Sequence, residues 1–216
     1  MYKHIFKRLI DVILSGIAMV VLALPMLIIA IAIKIDDPGP VLFKQKRVGK
    51  KKNGKITYFT IWKFRSMKMS TPHDTPTHLL ENPGQYITRV GRFIRKTSLD
   101  ELPQLYQVFT SKLSIIGPRP ALWSQEDLVE AREKYGANDV KPGMAGWAQI
   151  NGRDELEIEV KAKFDGEYVA ALNEGKFKGV TMDVKCFFGA IVSVLKSDGV
   201  VEGGTGEIKR QEITTK

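Results

Sequence analysis

Val12–Ile33 reads VILSGIAMVVLALPMLIIAIAI, a run with no charged residue and one proline, Pro25. A straight helix of that length reaches roughly 33 Å, against a hydrocarbon core of about 30 Å. Pro25 has no N–H to donate and its ring crowds the preceding turn, so a bend is expected there. Three readings meet this pattern. A cleaved signal peptide has basic residues before it and a site such as Ala30-Ile31-Ala32, but the run exceeds the usual apolar region of such peptides and no small-residue gap follows it. A kinked span crosses the bilayer. A re-entrant helix enters, turns at Pro25 and leaves on the same side. The flanks bear on the choice: Lys3, Lys7 and Arg8 precede the run, and Lys34, Lys44, Lys46, Arg47, Lys50, Lys51, Lys52 and Lys55 follow it. A span puts one basic flank outside the cytoplasm, against the positive-inside tendency, whereas a bent helix keeps both inside. On the residues alone these last two forms stand level.

The rest of the 216-residue chain reads as a globular body, with 44% hydrophobic and 26% charged residues, which excludes a disordered chain. The net charge is +9, and most of it lies beyond the apolar segment. Such a body suits anionic lipid or an anionic substrate. The single cysteine, Cys186, excludes an internal disulfide, and its apolar setting VKCFFG reads as a buried structural thiol.

Asp36-Asp37-Pro38-Gly39-Pro40 reads as a turn. VLFKQKRVG and ITYFTIWKF flank an Asn-Gly and form an expected β-hairpin. Ser70–Pro83 reads as a loop whose histidines, His73 and His78, lack the partners of a zinc site. Ser124–Gly136 (SQEDLVEAREKYG) reads as a helix with Ser124 as N-cap and Gly136 as stop. In Thr181–Ser197, Val184, Phe187, Phe188, Ile191 and Leu195 share a helical face, a stripe that reads as core rather than membrane contact.

GRFIRKTSLDELPQL (Gly91–Leu105) sets two acids, Asp100 and Glu101, beside Arg92, Arg95 and Lys96. Pro103 suits a first helical turn, so a helix is expected from there through PQLYQVFT. The alternative, with Ser98 as N-cap and Glu101 closing a capping box, drives Pro103 too deep. In both readings the acids lie at a helix N-terminus, where the dipole and nearby cations favour ionised carboxylates. An ionised Asp there suits Mg²⁺ binding or attack on phosphorus; capping and solvation are the plain alternative. In GPRP (Gly117–Pro120) two prolines present Arg119 from a stiff backbone. KPGMAGWAQINGR (Lys141–Arg153) holds three glycines, an Asn-Gly and the amides Gln149 and Asn151, and reads as a loop whose backbone approaches something closely. KFRSM (Lys63–Met67) adds two cations after an expected strand.

With KFRSM, TRVGRFIRKTSLDELPQL, IIGPRP, KPGMAGWAQINGR, FDGEYV and MDVK in this order, the chain resembles the bacterial sugar transferase family, the monotopic polyprenyl-phosphate phosphoglycosyl transferases, in its minimal catalytic form. The resemblance implies a mixed, helix-rich α/β fold. A re-entrant membrane helix (residues 1–36) packs on a small cytoplasmic catalytic domain (37–216) with interfacial amphipathic helices. It implies transfer of a sugar-1-phosphate from a UDP-sugar to undecaprenyl phosphate, with release of UMP and with Mg²⁺ as cofactor. The location is the cytoplasmic face of the bacterial inner membrane. By the same resemblance Asp100 is the nucleophile and a metal ligand, and Glu101 assists proton removal from the lipid phosphate. Arg95 holds a phosphate, and Arg119, between Pro118 and Pro120, contacts the nucleotide. Lys63, Arg65, Gln149, Asn151 and Arg153 complete the expected substrate set. Anionic membrane lipid is an expected partner, nucleic acid is not, and self-association and downstream glycosyltransferases stay open. The sugar looks most like an N-acetylated amino or deoxyamino sugar of capsule, exopolysaccharide or glycan synthesis.

Two departures stand out. Leu24-Pro25 replaces the Ser-Pro of many relatives at the bend, and Ser111-Lys112 stands where relatives often have Gly-Asp. Two rival readings remain: a non-catalytic basic module on anionic lipid, and a UDP-sugar pyrophosphatase with water as final acceptor.

Overall fold

The structure is a computed structural model that describes residues 2–71, 83–152 and 156–196. After one π-helical turn (Tyr2–Phe6), α1 (Lys7–Val21) and α2 (Ala23–Asp36) meet at Leu22 with a bend of 60°. Pro25 explains the position. Its missing N–H and its ring both act on the carbonyl four residues earlier, that of Val21, so the ladder opens there. It holds on either side, where Leu22 N–H donates to Ala18 O and Met26 N–H to Leu22 O, both at 2.8 Å. Among the described residues no single helix is long and apolar enough to cross a membrane; the bent pair together has that length and composition.

Both arms of the bend are tied to the body by polar side chains. On α1, Arg8 donates to Val108 O and Phe109 O, each at 2.6 Å, meeting the last carbonyls of α4 (Gln104–Phe109). Asp11, buried, accepts from Ser114 Oγ at 2.8 Å and Ile115 N–H at 2.9 Å. Lys7 Nζ, Tyr2 OH and Tyr168 OH converge on Asp183 at 2.7, 2.5 and 2.8 Å. At the end of α2, Asp36 accepts from Val90 N–H at 2.9 Å, and the C-cap Asp37 takes Arg65 Nη1 at 2.7 Å and Met69 N–H at 2.9 Å. The DDPGP turn is therefore also the clamp between α2 and the body. Asp11→Ala strands a buried hydroxyl and a part-buried N–H; urea denaturation should show a loss of about 3 kcal/mol.

The expected hairpin is present. β1 (Leu42–Val48) pairs antiparallel with β2 (Tyr58–Phe64), Leu42 opposite Phe64. Its tip turns through Asn53 (φ 49°) and Gly54 (φ 74°), the two positive values that a type I′ turn requires. α3 (Arg89–Lys96) is capped by Thr88, whose Oγ1 accepts from Gly91 N–H at 2.9 Å. β3 (Ser114–Ile116) pairs parallel with β4 (Gly143–Ala145). The remaining helices are α5 (Glu126–Glu133), α6 (Trp147–Ile150), α7 (Ile158–Asn173) and α8 (Lys176–Lys196). The architecture is thus mixed and helix-rich, with two small two-stranded sheets among the described residues.

Two local expectations need correction. Ser124 does not cap α5: the N-cap is Gln125, without a side-chain bond to the helix, and its amide oxygen turns back to Leu122 N–H at 2.8 Å. The stripe on α8 is not core. Val184, Phe187, Phe188, Ile191 and Leu195 are all exposed, Leu195 at 79%. The inward face instead carries Gly179, Asp183, Cys186 and Gly189; a Cβ on Gly179 would lie 3.1 Å from Tyr2 and one on Gly189 2.7 Å from Ile150. Small residues face the body because neighbours approach closely there, which leaves the bulky stripe outward. Exposed apolar residues also cover α1 and α2, among them Val20, Val21, Leu24 and Ile28. Cys186 is buried as expected; burial, with Asp183 nearby, pushes its thiol up to about 12 and keeps it protonated. His73 and His78 lie outside the described residues.

Candidate active site

Asp100 and Glu101 lie on a single 3₁₀ turn, Leu99–Glu101, between α3 and α4. Pro103 is the N-cap of α4, so the helix begins where the proline reading put it. Ser98 enters the turn with a left-handed φ of 56° and makes no capping bond. The turn is anchored by its apolar members: Leu99 and Leu102 pack on the cluster of Ile29, Ile33, Phe64 and Ile94. Two of those four residues belong to α2, so the second arm of the bent helix forms part of the floor beneath the acids.

Two cations close on Glu101. Lys63 Nζ, from β2, lies 2.7 Å from Oε1 and 3.8 Å from Asp100 Oδ2. Arg119 Nη2 lies 2.8 Å from Glu101 Oε1, with Nη1 at 3.5 Å from Oε2. Burial alone would raise the Glu101 carboxyl, but the charges and hydrogen bonds of Arg119 and Lys63 outweigh it and hold the group well below the usual carboxylate range. Asp100 goes the other way. Burial raises it, Lys63 opposes this, Glu101 adds to it, and Arg119 and Arg95 oppose it again; the net direction is upward. The dyad is thus split into an acid clamped in its ionised form and one whose charge the site only partly neutralises.

The sign of the Glu101 shift sets a pH dependence. A carboxyl depressed in the folded state contributes stability above its ordinary value of 4.5, lost as pH falls through the folded value. Glu101→Gln should lower stability at pH 7 by about 2 kcal/mol. The gap to the unaltered protein should narrow as pH drops below 4.5, a trend read by denaturation at stepped pH.

The other expected site residues divide. Lys63 and Arg119 meet the dyad, Arg95 acts on Asp100 by its charge alone, and Pro118 and Pro120 flank Arg119. Arg65, two residues beyond Lys63, is buried and holds the Asp37 carboxylate and main-chain carbonyl, away from the acids. Gln149 lies on α6, its Oε1 buried with no donor among the described residues. Asn151 donates its amide to Trp147 O at 2.8 Å. Arg153 lies outside the described residues. The close approach expected of the glycine-rich loop is to the GPRP backbone. Gly143 N–H donates to Pro118 O at 3.0 Å and Gly117 N–H to Ala145 O at 2.8 Å. A Cβ on Gly146 would sit 2.4 Å from Gly117 O.

Three further residues brace this site, and nothing in the sequence assigns them to it. Arg47 Nη1 donates to Pro120 O at 3.1 Å, and Arg132 Nη2 to Arg119 O at 2.9 Å. Asp165 of FDGEYV accepts from Arg132. The motif itself was visible, but nothing local said which segment each of its residues meets.

Among the described residues no three acids, histidines or cysteines gather into a metal cage. Mg²⁺ commonly takes one or two carboxylates and fills its other positions with substrate phosphate and water. Asp100 suits that mode: its ion-pair contact with Lys63 is long, 3.8 Å, so its oxygens have capacity left. The residues present fit an ion held jointly with a diphosphate.

Comparison with known proteins identifies the family. Residues 2–197 match the family described as bacterial sugar transferase. The chain is 41% identical to the UDP-glucose:undecaprenyl-phosphate glucose-1-phosphate transferase of Escherichia coli (strain K12), over 77% of its own length but 36% of that protein's. It is 34% identical to the UDP-galactose-lipid carrier transferase of Erwinia amylovora, covering 91% of this chain and 42% of the other. With the exopolysaccharide production protein PSS of Rhizobium leguminosarum bv. phaseoli it shares 37% identity over 88% of this chain and 96% of the other. The chain therefore spans well under half of the first two relatives and nearly all of the third.

Proposed function

The chain belongs to the bacterial sugar transferase family, and from that premise we propose that it moves a sugar-1-phosphate from a UDP-sugar to undecaprenyl phosphate, releasing UMP. The observation that carries this reading is the convergence of Lys63 and Arg119 on the Asp100–Glu101 pair. Cations that pair with carboxylate oxygens here are of the kind that also pair with phosphate oxygens.

Asp100 attacks the sugar-bearing phosphorus. A P–O bond forms to its carboxylate, the bond to UMP breaks, and UMP leaves with the electron pair. A phosphate oxygen of undecaprenyl phosphate then attacks the same phosphorus, and the carboxylate of Asp100 is the leaving group. Lys63, Arg95 and Arg119 offset the charge of the diphosphate in the first step and of the lipid phosphate in the second. As Lys63 and Arg119 turn to phosphate, their hold on Glu101 loosens, and Glu101 becomes a better acceptor for the lipid phosphate's proton. Asp100 would hold Mg²⁺ when it is bound, and the ion would supply further charge neutralisation at the diphosphate. Two anionic substrates thus occupy one site in turn rather than together.

The re-entrant form of the bent pair follows from the same reading. Both basic flanks stay on the cytoplasmic side, and the exposed faces of α1, α2 and α8 rest in lipid, with anionic headgroups near the lysine-rich hairpin tip. The acids then stand at headgroup level, where the lipid phosphate lies. The lipid-linked product is a substrate for a downstream glycosyltransferase.

For the sugar, the motifs resemble members that use N-acetylated amino or deoxyamino sugars, while the relatives above carry glucose and galactose in their names. UMP release from UDP-glucose, UDP-galactose, UDP-N-acetylglucosamine and UDP-N-acetylgalactosamine, with and without undecaprenyl phosphate, tests the proposal. Turnover that depends on the lipid and is lost on chelating Mg²⁺ is expected. Sustained release without the lipid would mean a pyrophosphatase, and no release from any donor would leave a lipid-binding module.

A further inference from the structure

Arg132 and Asp165 form an ion pair with side chains 5% and 1% exposed. Arg132 Nε and Nη2 both donate to Asp165 Oδ2, at 2.8 and 2.5 Å. The same Nη2 donates to the carbonyl of Arg119 at 2.9 Å. A buried pair of this kind contributes little net stability, because the desolvation of both ions offsets their attraction; apolar replacements of similar volume are often neutral. What an apolar pair cannot supply is the directed bond to Arg119. Pro118 and Pro120 restrict φ on either side of that residue, and Arg47 holds the next carbonyl, that of Pro120, at 3.1 Å. The main chain of Arg119 is therefore fixed from both sides while its guanidinium reaches the dyad.

α7 organises this support. Asp165 holds Arg132, Glu167 accepts from Trp147 Nε1 at 2.8 Å, and Tyr168 OH bonds Ile116 O at 3.2 Å. Three residues of one helix thus fix α5, α6 and β3, the elements around the GPRP segment. Gly166 lets the helix come close: a Cβ there would lie 2.6 Å from Tyr135 Cβ.

We propose that Arg132 and Asp165 are positioning residues for the transfer, fixing the Arg119 carbonyl and through it the reach of the Arg119 guanidinium to the diphosphate of the donor. The inference rests on the reading of Arg119 as a phosphate- or nucleotide-binding residue. A displaced guanidinium should weaken diphosphate binding and leave the stability of the protein largely unchanged.

The test uses the full chain and UDP as probe, which carries the diphosphate whatever the sugar. Affinity for UDP and thermal unfolding are measured for Arg119→Ala, for the paired replacement Arg132→Met with Asp165→Leu, and for all three together. The paired variant is expected to bind UDP about tenfold more weakly at nearly unchanged melting temperature. Combined with Arg119→Ala it should weaken binding no further than Arg119→Ala alone, because the pair acts through that side chain. Unchanged UDP affinity in the folded paired variant overturns the inference, and so does an additive loss in the triple variant. Full UDP affinity in Arg119→Ala would instead sink the reading of Arg119 itself. If the paired variant does not fold, Arg132→Lys is read in the same assay. It keeps a charge opposite Asp165 without the guanidinium fork, so weaker UDP binding is expected and unchanged binding overturns the inference.

Discussion

If Asp100 is the nucleophile we propose, Asp100→Asn should lower lipid-dependent UMP release by about a thousandfold or more, the scale seen when a covalent nucleophile is removed. An amide at this position cannot form the P–O bond of the proposed transfer, whereas the charges around it remain. Lys63 and Arg119 still have Glu101 to bind, so donor affinity should survive better than turnover. Rapid quenching of the unaltered protein with donor labelled in its sugar-bearing phosphate, and no lipid, should leave label on the protein. The variant should leave none. Stability separates this outcome from misfolding. Burial raises the Asp100 carboxyl in the folded state, so its charge opposes folding wherever the group is ionised, and that penalty fades as pH falls. The neutral variant should therefore melt at or above the temperature of the parent at pH 7, with the difference shrinking in acid. An active, folded Asp100→Asn protein would end the covalent mechanism.

Gly143→Ala is expected to destabilise the protein by about 3 kcal/mol or more, at the upper end for overpacking. The new Cβ would lie 2.1 Å from Gly117 N, 2.6 Å from Ile116 C and 2.7 Å from Gly117 Cα. All three are backbone atoms of the neighbouring segment, so no side chain can swing aside. Relief requires β4 to move off β3, which breaks the bonds from Gly117 N–H to Ala145 O and from Gly143 N–H to Pro118 O. The GPRP turn moves with them, so activity should fall together with stability. Gly84→Ala is the matched control: a Cβ there meets nothing within 4 Å, and its effect should stay within about 0.5 kcal/mol. Equal denaturation midpoints for the two variants would refute the account of β3 and β4 as a glycine-dependent close contact.

Where the sequence alone was sufficient, the cause was local. An uncharged run with one proline produces a bent apolar helix pair because the lost N–H and the ring act within one turn. Asn53-Gly54 makes its hairpin because positive φ suits those residues, and Pro103 starts α4 because its own geometry belongs in a first turn. The acids beside it could be singled out by adjacency to cations, and family resemblance supplied their roles. Tertiary structure decided everything that depends on which face meets which neighbour. Lys63 and Arg65 look equivalent along the chain, yet one pairs with Glu101 and the other with Asp37, a difference of partner that their spacing does not encode. The α8 stripe has the period of a core face and points outward, because close approach selects glycine and cysteine for the inner side. Asp165, Arg132 and Arg119 are far apart in sequence and joined by hydrogen bonds under 3 Å. Hydropathy and propensity report on a residue and its near neighbours; hydrogen bonds between distant segments exist only once the chain has packed.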